Sequence, residues 1–353
     1  MNIVNRSLLE WINDDDDDDD LQPILRRKII LRARINWYNI YDDIDFIKRF
    51  RIRKEQVSLL LRKIGNSLLR RTVCNQEISP LIQILVALRF YASGSFFIAI
   101  GDFIGISKTS AIRIVHNVSA VIASLSREYI KFPSTSDDIL KTQAGIFNKA
   151  GFIRILGAID CIHIKIQSNG GENAELFRNR KGFFSFNVQV IVNSKLQILD
   201  IVVRWPGSCH DATIFNNSAI KGRFEAGEFG NGMLLGDSGY PNLPYVMTPL
   251  LHPNTPAEIL YNESQIRTRS MVERCFGIWT RIFPILSLGS RFRTPQRTMD
   301  MIMACAILYN IIRSDVEEVI DCDSYNNILL NYNEILHKNE RQYLIENYFE
   351  RCV

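Results

Sequence analysis

The spacing of apolar residues changes along the chain. From residue 52 to 125 they recur at helical spacing, as at Val57, Leu59, Leu60, Leu61 and Ile64, which predicts helices throughout. Ser79-Pro80 supplies an N-cap and first-turn pair for a helix to about Tyr91. A shorter helix follows over Ser95 to Phe103. Ser107, after the turn at Gly105, caps a third helix through about Leu125. Phe132-Pro133 and the polar stretch Ser134 to Asp138 mark a boundary.

From about residue 150 the pattern becomes strand-like. Residues 153 to 166 (IRILGAIDCIHIKI) are almost wholly apolar up to Asp160 and alternate beyond it at Ile162, Ile164 and Ile166, which predicts a central strand. Phe184 to Val192 and Leu196 to Trp205 are two further strands joined through Asn193-Ser194-Lys195, so the three form an antiparallel meander. A short helix is expected within His210 to Ile220, and a fourth strand from Met233 to Gly236, running into Asp237. Pro241 to Pro256 is a loop long enough to cover a site. A helix is expected from about Ser264 to Phe283, with Val272, Cys275, Phe276, Trp279 and Ile282 on its apolar face and Pro284 closing it. Thr294-Pro295 opens another through about Arg313. At most one more helix is expected beyond.

At 353 residues and 46% hydrophobic composition the chain can bury a large core. The expected organisation is an acidic tail (1–22), a helical domain (23–135), an α/β domain (150–315) and a C-terminal tail with at most one helix (316–353). Net charge is only +4, but seven consecutive Asp at 14 to 20 mask a body of about +11, basic enough to favour a polyanion. That Asp run is a solvated spacer or a shield over a basic surface. Arg26, Arg27, Lys28, Arg32 and Arg34 are either an import signal or an exposed helix face. The seven scattered cysteines form no CxxC pair, which argues for reduced thiols and against a zinc finger. With neither an apolar run of membrane length nor a signal-peptide pattern, a soluble intracellular protein is expected.

Helix, Gly-containing turn and a longer helix opening on small polar residues resemble a helix-turn-helix, in which Lys108, Thr109, Ser110, Arg113 and His116 would meet DNA; simple bundle packing gives the same pattern. Asp160 has two readings, a salt-bridged carboxylate or a metal ligand, because a buried charge needs a counter-charge. Asp211 taken alone is a helix cap, Asp237 a turn residue, and Glu273 a partner for Arg269 one turn earlier. Arg178, Arg180 and Lys181 precede the second strand as phosphate contacts or as a solvated turn. His163 and His210 are supporting residues rather than ligands, since an oxygen-rich site suits Mg²⁺ or Mn²⁺.

The order strand, strand, strand, helix, strand, helix, with acidic residues on the first strand, after the fourth and on the last helix, resembles the ribonuclease-H-like core of DDE transposases. Nine blocks resemble the PIF/Harbinger superfamily, particularly the Harbinger transposase-derived nucleases of animals: FYASGSF (90–96), GDFIGIS (101–107), GAIDCIHI (157–164), NRKGFFSFN (179–187), WPGSCHDATIF (205–215), LLGDSGYP (234–241), TPAEILYN (255–262), MVERCFG (271–277) and ACAILYNI (304–311). Together they cover roughly residues 80 to 312. The resemblance implies an α/β fold, a ribonuclease-H-like mixed sheet with flanking helices, preceded by an all-helical, helix-turn-helix-like domain. It implies that Asp160, Asp211, Asp237 and Glu273 bind metal, with Asp160, Asp237 and Glu273 catalytic, and that two divalent cations, Mg²⁺ or Mn²⁺, support hydrolysis of DNA phosphodiester bonds. It also implies a Myb-like DNA-binding partner protein and residence in nucleus and cytoplasm; homo-oligomers are compatible with it and a membrane is not expected. A working transposase adding strand transfer, and a catalytically silent DNA-binding regulator, are the competing readings.

Overall fold

The computed structural model describes residues 35–69, 77–168, 170–171, 173–315, 322–330, 332 and 337–353. The Asp run and the basic cluster at 26–34 lie outside the described residues. In chain order the helices are α1 (Trp37–Ile40), α2 (Asp43–Phe50), α3 (Lys54–Leu68), α4 (Pro80–Ser93), α5 (Phe97–Ile104), α6 (Lys108–Ala123), α7 (Ser126–Tyr129) and α8 (Ser136–Ala150). They continue as α9 (Asp211–Asn216), α10 (Ala219–Glu225), α11 (Pro256–Ile282), α12 (Ile285–Leu288), α13 (Pro295–Arg313), α14 (Cys322–Leu329) and α15 (Glu340–Asn347). Five strands, β1 (Ile155–Lys165), β2 (Ser185–Val192), β3 (Ile198–Pro206), β4 (Met233–Leu235) and β5 (Val246–Met247), form one mixed sheet in the order β3-β2-β1-β4-β5.

Two compact units share the chain. The first gathers the described residues of Met1–Ser126 with Ile164–Ser185 and Trp279–Ile312. Its helices start and stop for local reasons. The Ser79 hydroxyl accepts from the N–H of Ile82 ahead of Pro80, and Ser107 accepts from the N–H of Ser110 at 3.1 Å. Gly105 ends α5 at φ +84°, a left-handed conformation that suits glycine. Inside, Tyr91 and Ser119 share a hydrogen bond of 2.6 Å between α4 and α6, and Phe90 stacks on Phe97 with centroids 4.7 Å apart. α3 packs on α4 and α6, α4 on α5 and α6, and α5 on α6; α4, α5 and α6 are the three helices expected between Pro80 and Leu125.

The second unit comprises Arg127–His163, Phe186–Ile278 and Arg313–Val353. β2 and β3 are antiparallel, whereas β1, β4 and β5 run parallel. Gly157 is required on β1, since a Cβ there would meet Ile191 Cγ2 at 2.6 Å and the Val192 carbonyl oxygen at 2.9 Å. A core of Leu156, Ile159, Ile191, Leu234, Val246 and Phe215, closed by Phe132, Phe224 and Tyr240, packs on the sheet. The C-terminal segment contributes to this unit's core. Arg154, at φ +63° just before β1, pairs with Glu340 at 2.9 Å, and both side chains are 0% exposed. Arg154 N–H also donates to Tyr325 Oη at 2.8 Å.

Several elements differ from the sequence expectation. α8 replaces a plain boundary stretch, and Thr135 caps it by accepting from the N–H of Asp138. α11 begins at Pro256 rather than Ser264, because Thr255 and Glu258 form a reciprocal cap, each accepting from the other's backbone N–H at 3.2 and 3.0 Å. Residues 210–220 hold parts of two short helices, the second capped by Ser218, and β5 lies inside the expected loop. Two α-helices, not one, follow residue 316 among the described residues.

Candidate active site

The β1–β4 register pairs Ile155 with Met233 and Ala158 with Leu235. Asp160 follows Ala158 by two residues within β1, and Asp237 follows Leu235 by two residues, just outside the carboxyl end of β4. Asp160 is partly buried, and each of its oxygens is engaged: Oδ1 accepts from the Cys161 N–H at 2.8 Å and Oδ2 from Arg269 Nη1 at 3.2 Å. Burial above all pushes the Asp160 carboxyl up to about 6; the Cys161 hydrogen bond opposes that rise, Asp237 adds to it, Arg269 opposes it and Asp211 adds to it. Both other aspartates are therefore within electrostatic reach of Asp160.

Asp237 closes an Asx turn, its Oδ1 accepting from the Gly239 N–H at 2.9 Å. Asp211 is the first residue of α9 and His210 its N-cap, without a side-chain capping bond. Asp211 Oδ1 instead accepts from the side-chain amide of Asn187 on β2 at 2.9 Å, and that amide also reaches the Cys209 carbonyl. Glu273, 57% exposed on α11, accepts from Arg269 Nη2 at 2.8 Å. Arg269 thus connects β1 to α11, binding Asp160 and Glu273 at once. One turn earlier, the buried Gln265 donates to the Gly236 carbonyl at 2.7 Å, which pins α11 to the end of β4 just before Asp237. Below Asp160, Cys161 Sγ lies 3.4 Å from Tyr240 Oη, and burial raises the pKa of both groups.

All four predicted carboxylates belong to the second unit. Asp160, Asp211 and Asp237 form one electrostatic neighbourhood, and Glu273 joins it through Arg269. Among the described residues, no three His, Cys, Asp or Glu side chains stand close enough to hold a metal ion. Each carboxylate is held by a protein donor instead. The donor chemistry nonetheless suits a hard cation: every acidic group offers oxygen, and the buried Asn187 Oδ1 has no hydrogen-bond partner beside Asp211. Asn187, Gln265 and the contact of Arg269 with Asp160 were not foreseen. Asn187 alternates on β2 with the polar Ser185 and Gln189, so the sequence did not single it out.

The basic candidates all belong to the first unit. Lys108 opens α6 and Arg113 is exposed on it; the helix has no acidic residue in its first turn. Arg178 is committed locally, with Nε and Nη2 on Glu175 at 2.7 and 3.0 Å and Nη1 on the Gly182 carbonyl. Buried Asn179 shapes the next turn, its Oδ1 accepting from Lys181 N–H at 2.9 Å, and Arg180 and Lys181 lie exposed there. No helix among the described residues is long and apolar enough to cross a membrane.

A mixed five-stranded sheet with helices, carrying Asp160 within β1, Asp237 two residues beyond β4 and Glu273 on α11, is consistent with a DDE endonuclease core, and residues 159–310 match the family described as DDE superfamily endonuclease. The chain is 34% identical to the human protein named "Putative nuclease HARBI1" over 260 residues, covering 73% of this chain and 74% of the relative. The Xenopus laevis protein of the same name is 32% identical over 72% and 74%. An Arabidopsis thaliana protein, "Protein ALP1-like", is 25% identical over 68% and 62%. No solved structure matches significantly. The chain belongs to the Harbinger transposase-derived DDE nuclease family.

Proposed function

We propose that this protein is a divalent-metal-dependent DNA nuclease, descended from a transposase, that hydrolyses phosphodiester bonds. The observation that supports the reading is the carboxylate neighbourhood itself: Asp160 feels both Asp237 and Asp211, and β1, which carries Asp160, runs parallel to β4, which leads into Asp237. The order β3-β2-β1-β4-β5, with an antiparallel β2/β3 pair and parallel β1/β4/β5, supports a ribonuclease-H-like core behind it.

Asp160, Asp237 and Glu273, joined by Asp211, would hold Mg²⁺ or Mn²⁺, two ions in all. When bound, such ions activate water and stabilise the leaving 3′ oxygen of an in-line displacement. The chain's own contribution is placement. Gln265 fixes the end of β4, Asn187 fixes Asp211, and the α11 face brings Glu273 toward β1. Lys108 and Arg113 on α6, with Arg180 and Lys181, would contact the DNA backbone; Arg178, tied to Glu175, holds the shape of its loop. A Myb-like partner supplying sequence recognition, and residence in nucleus and cytoplasm, complete the reading.

The test is thermal melting with and without Mn²⁺. A ligand that binds the folded state raises the melting temperature by mass action, so wild type should shift upward at millimolar Mn²⁺ and Asp237→Asn much less. No shift in wild type would remove the metal site.

A further inference from the structure

Arg269 stands one turn before Glu273 and spends two guanidinium nitrogens on two carboxylates from different elements, Asp160 Oδ2 at 3.2 Å and Glu273 Oε1 at 2.8 Å. Its side chain is 19% exposed and that of Asp160 18%, so water screens this contact less than a surface pair. A helix-surface pair needs only Arg269 and Glu273; the reach to Asp160, 109 residues away, gives the guanidinium a second task. A planar fork suits it, because its nitrogens are rigidly separated and each can serve a different acceptor. The contact also offsets the repulsion that Asp237 and Asp211 exert on Asp160. A divalent cation taking Asp160 and Glu273 as ligands would draw on the same oxygens, and two cations cannot crowd those oxygens without mutual repulsion.

We propose that Arg269 is a built-in counter-cation of the carboxylate site, a positioning residue that holds Asp160 and Glu273 toward each other and yields them to the divalent cation in competition. The inference rests on the metal reading above. It makes cation uptake an exchange of one positive group for another, and sets the affinity below what the carboxylates alone would give.

Calorimetric Mn²⁺ titration of EDTA-treated wild type, Arg269→Gln and Arg269→Lys tests it. Arg269→Gln should bind Mn²⁺ about tenfold more tightly, because a charge-assisted contact no longer has to be broken. Arg269→Lys should fall between the two, keeping the charge and losing the fork. In EDTA Arg269→Gln should melt below wild type, and Mn²⁺ should narrow that gap. If wild type binds Mn²⁺ and Arg269→Gln binds it equally or more weakly, the competition is refuted while the metal site stands. If wild type binds none, the metal reading fails and takes this inference with it. Should Arg269→Gln not fold, Arg269→Lys decides: a dissociation constant unchanged from wild type overturns the proposal.

Discussion

Asn187 donates a side-chain N–H to Asp211 Oδ1 at 2.9 Å, and this bond, not helix capping, holds the carboxylate that opens α9. Asp211→Asn should leave the melting temperature nearly unchanged, since its amide oxygen can still accept from Asn187, yet abolish cleavage, because a neutral amide holds a hard cation poorly. Full activity in Asp211→Asn would take that residue out of the site. Asn187→Ala should weaken Mn²⁺ binding by roughly tenfold, the effect of losing one hydrogen bond to a charged group, with the circular dichroism spectrum retained.

The Arg154–Glu340 pair tests whether the C-terminal segment is part of the fold. Both side chains are fully buried, so Glu340→Ala leaves a guanidinium uncompensated and should cost about 3–5 kcal/mol in urea unfolding. A loss under about 1 kcal/mol, the surface-pair range, would show the segment to be dispensable.

Asp200 on β3 gives a pH signature outside the site. Burial lifts its carboxyl to about 6, with Arg223 pulling the other way. A carboxyl whose folded value exceeds its unfolded value contributes stability that is full below about 4 and lost as pH rises through about 6. Asp200→Asn should therefore be more stable than wild type at pH 7, on the order of 2 kcal/mol, and converge with it near pH 4. Parallel stability curves for the two proteins between pH 4 and 7 would contradict this.

DNA binding should be electrostatic. Arg113→Ala, Lys108→Ala and Lys181→Ala should each weaken affinity and flatten the dependence of log K on log salt by about one charge. Arg178→Ala should act differently, loosening the 178–184 turn with a smaller change in slope, because Glu175 already neutralises it. Slopes unchanged from wild type in all four variants would place the DNA elsewhere.

The strand holding Asp160 was legible because a carboxylate interrupts an otherwise apolar run, and α6 because a serine cap follows a glycine turn. The first two turns of α11 were legible in principle, since Thr255-Pro256-Ala257-Glu258 is a capping box, but the nearby prolines read as loop. β5, at two residues, is too short to show a period. Arg269 could be read as a partner for Glu273 from its spacing on the helix. Its bond to Asp160 depends on how α11 crosses β1, and no local pattern encodes that crossing. The same holds for Arg154 and Glu340, whose charges meet across 186 residues.

Plasmid cleavage by purified protein in Mg²⁺ or Mn²⁺, with an EDTA control and Asp160→Ala beside wild type, tests the central claim most directly. The account predicts nicked or linear product with wild type and metal, none with EDTA, and none with Asp160→Ala. Cleavage that survives EDTA or the loss of the Asp160 carboxylate would contradict it, as would intact plasmid in every lane.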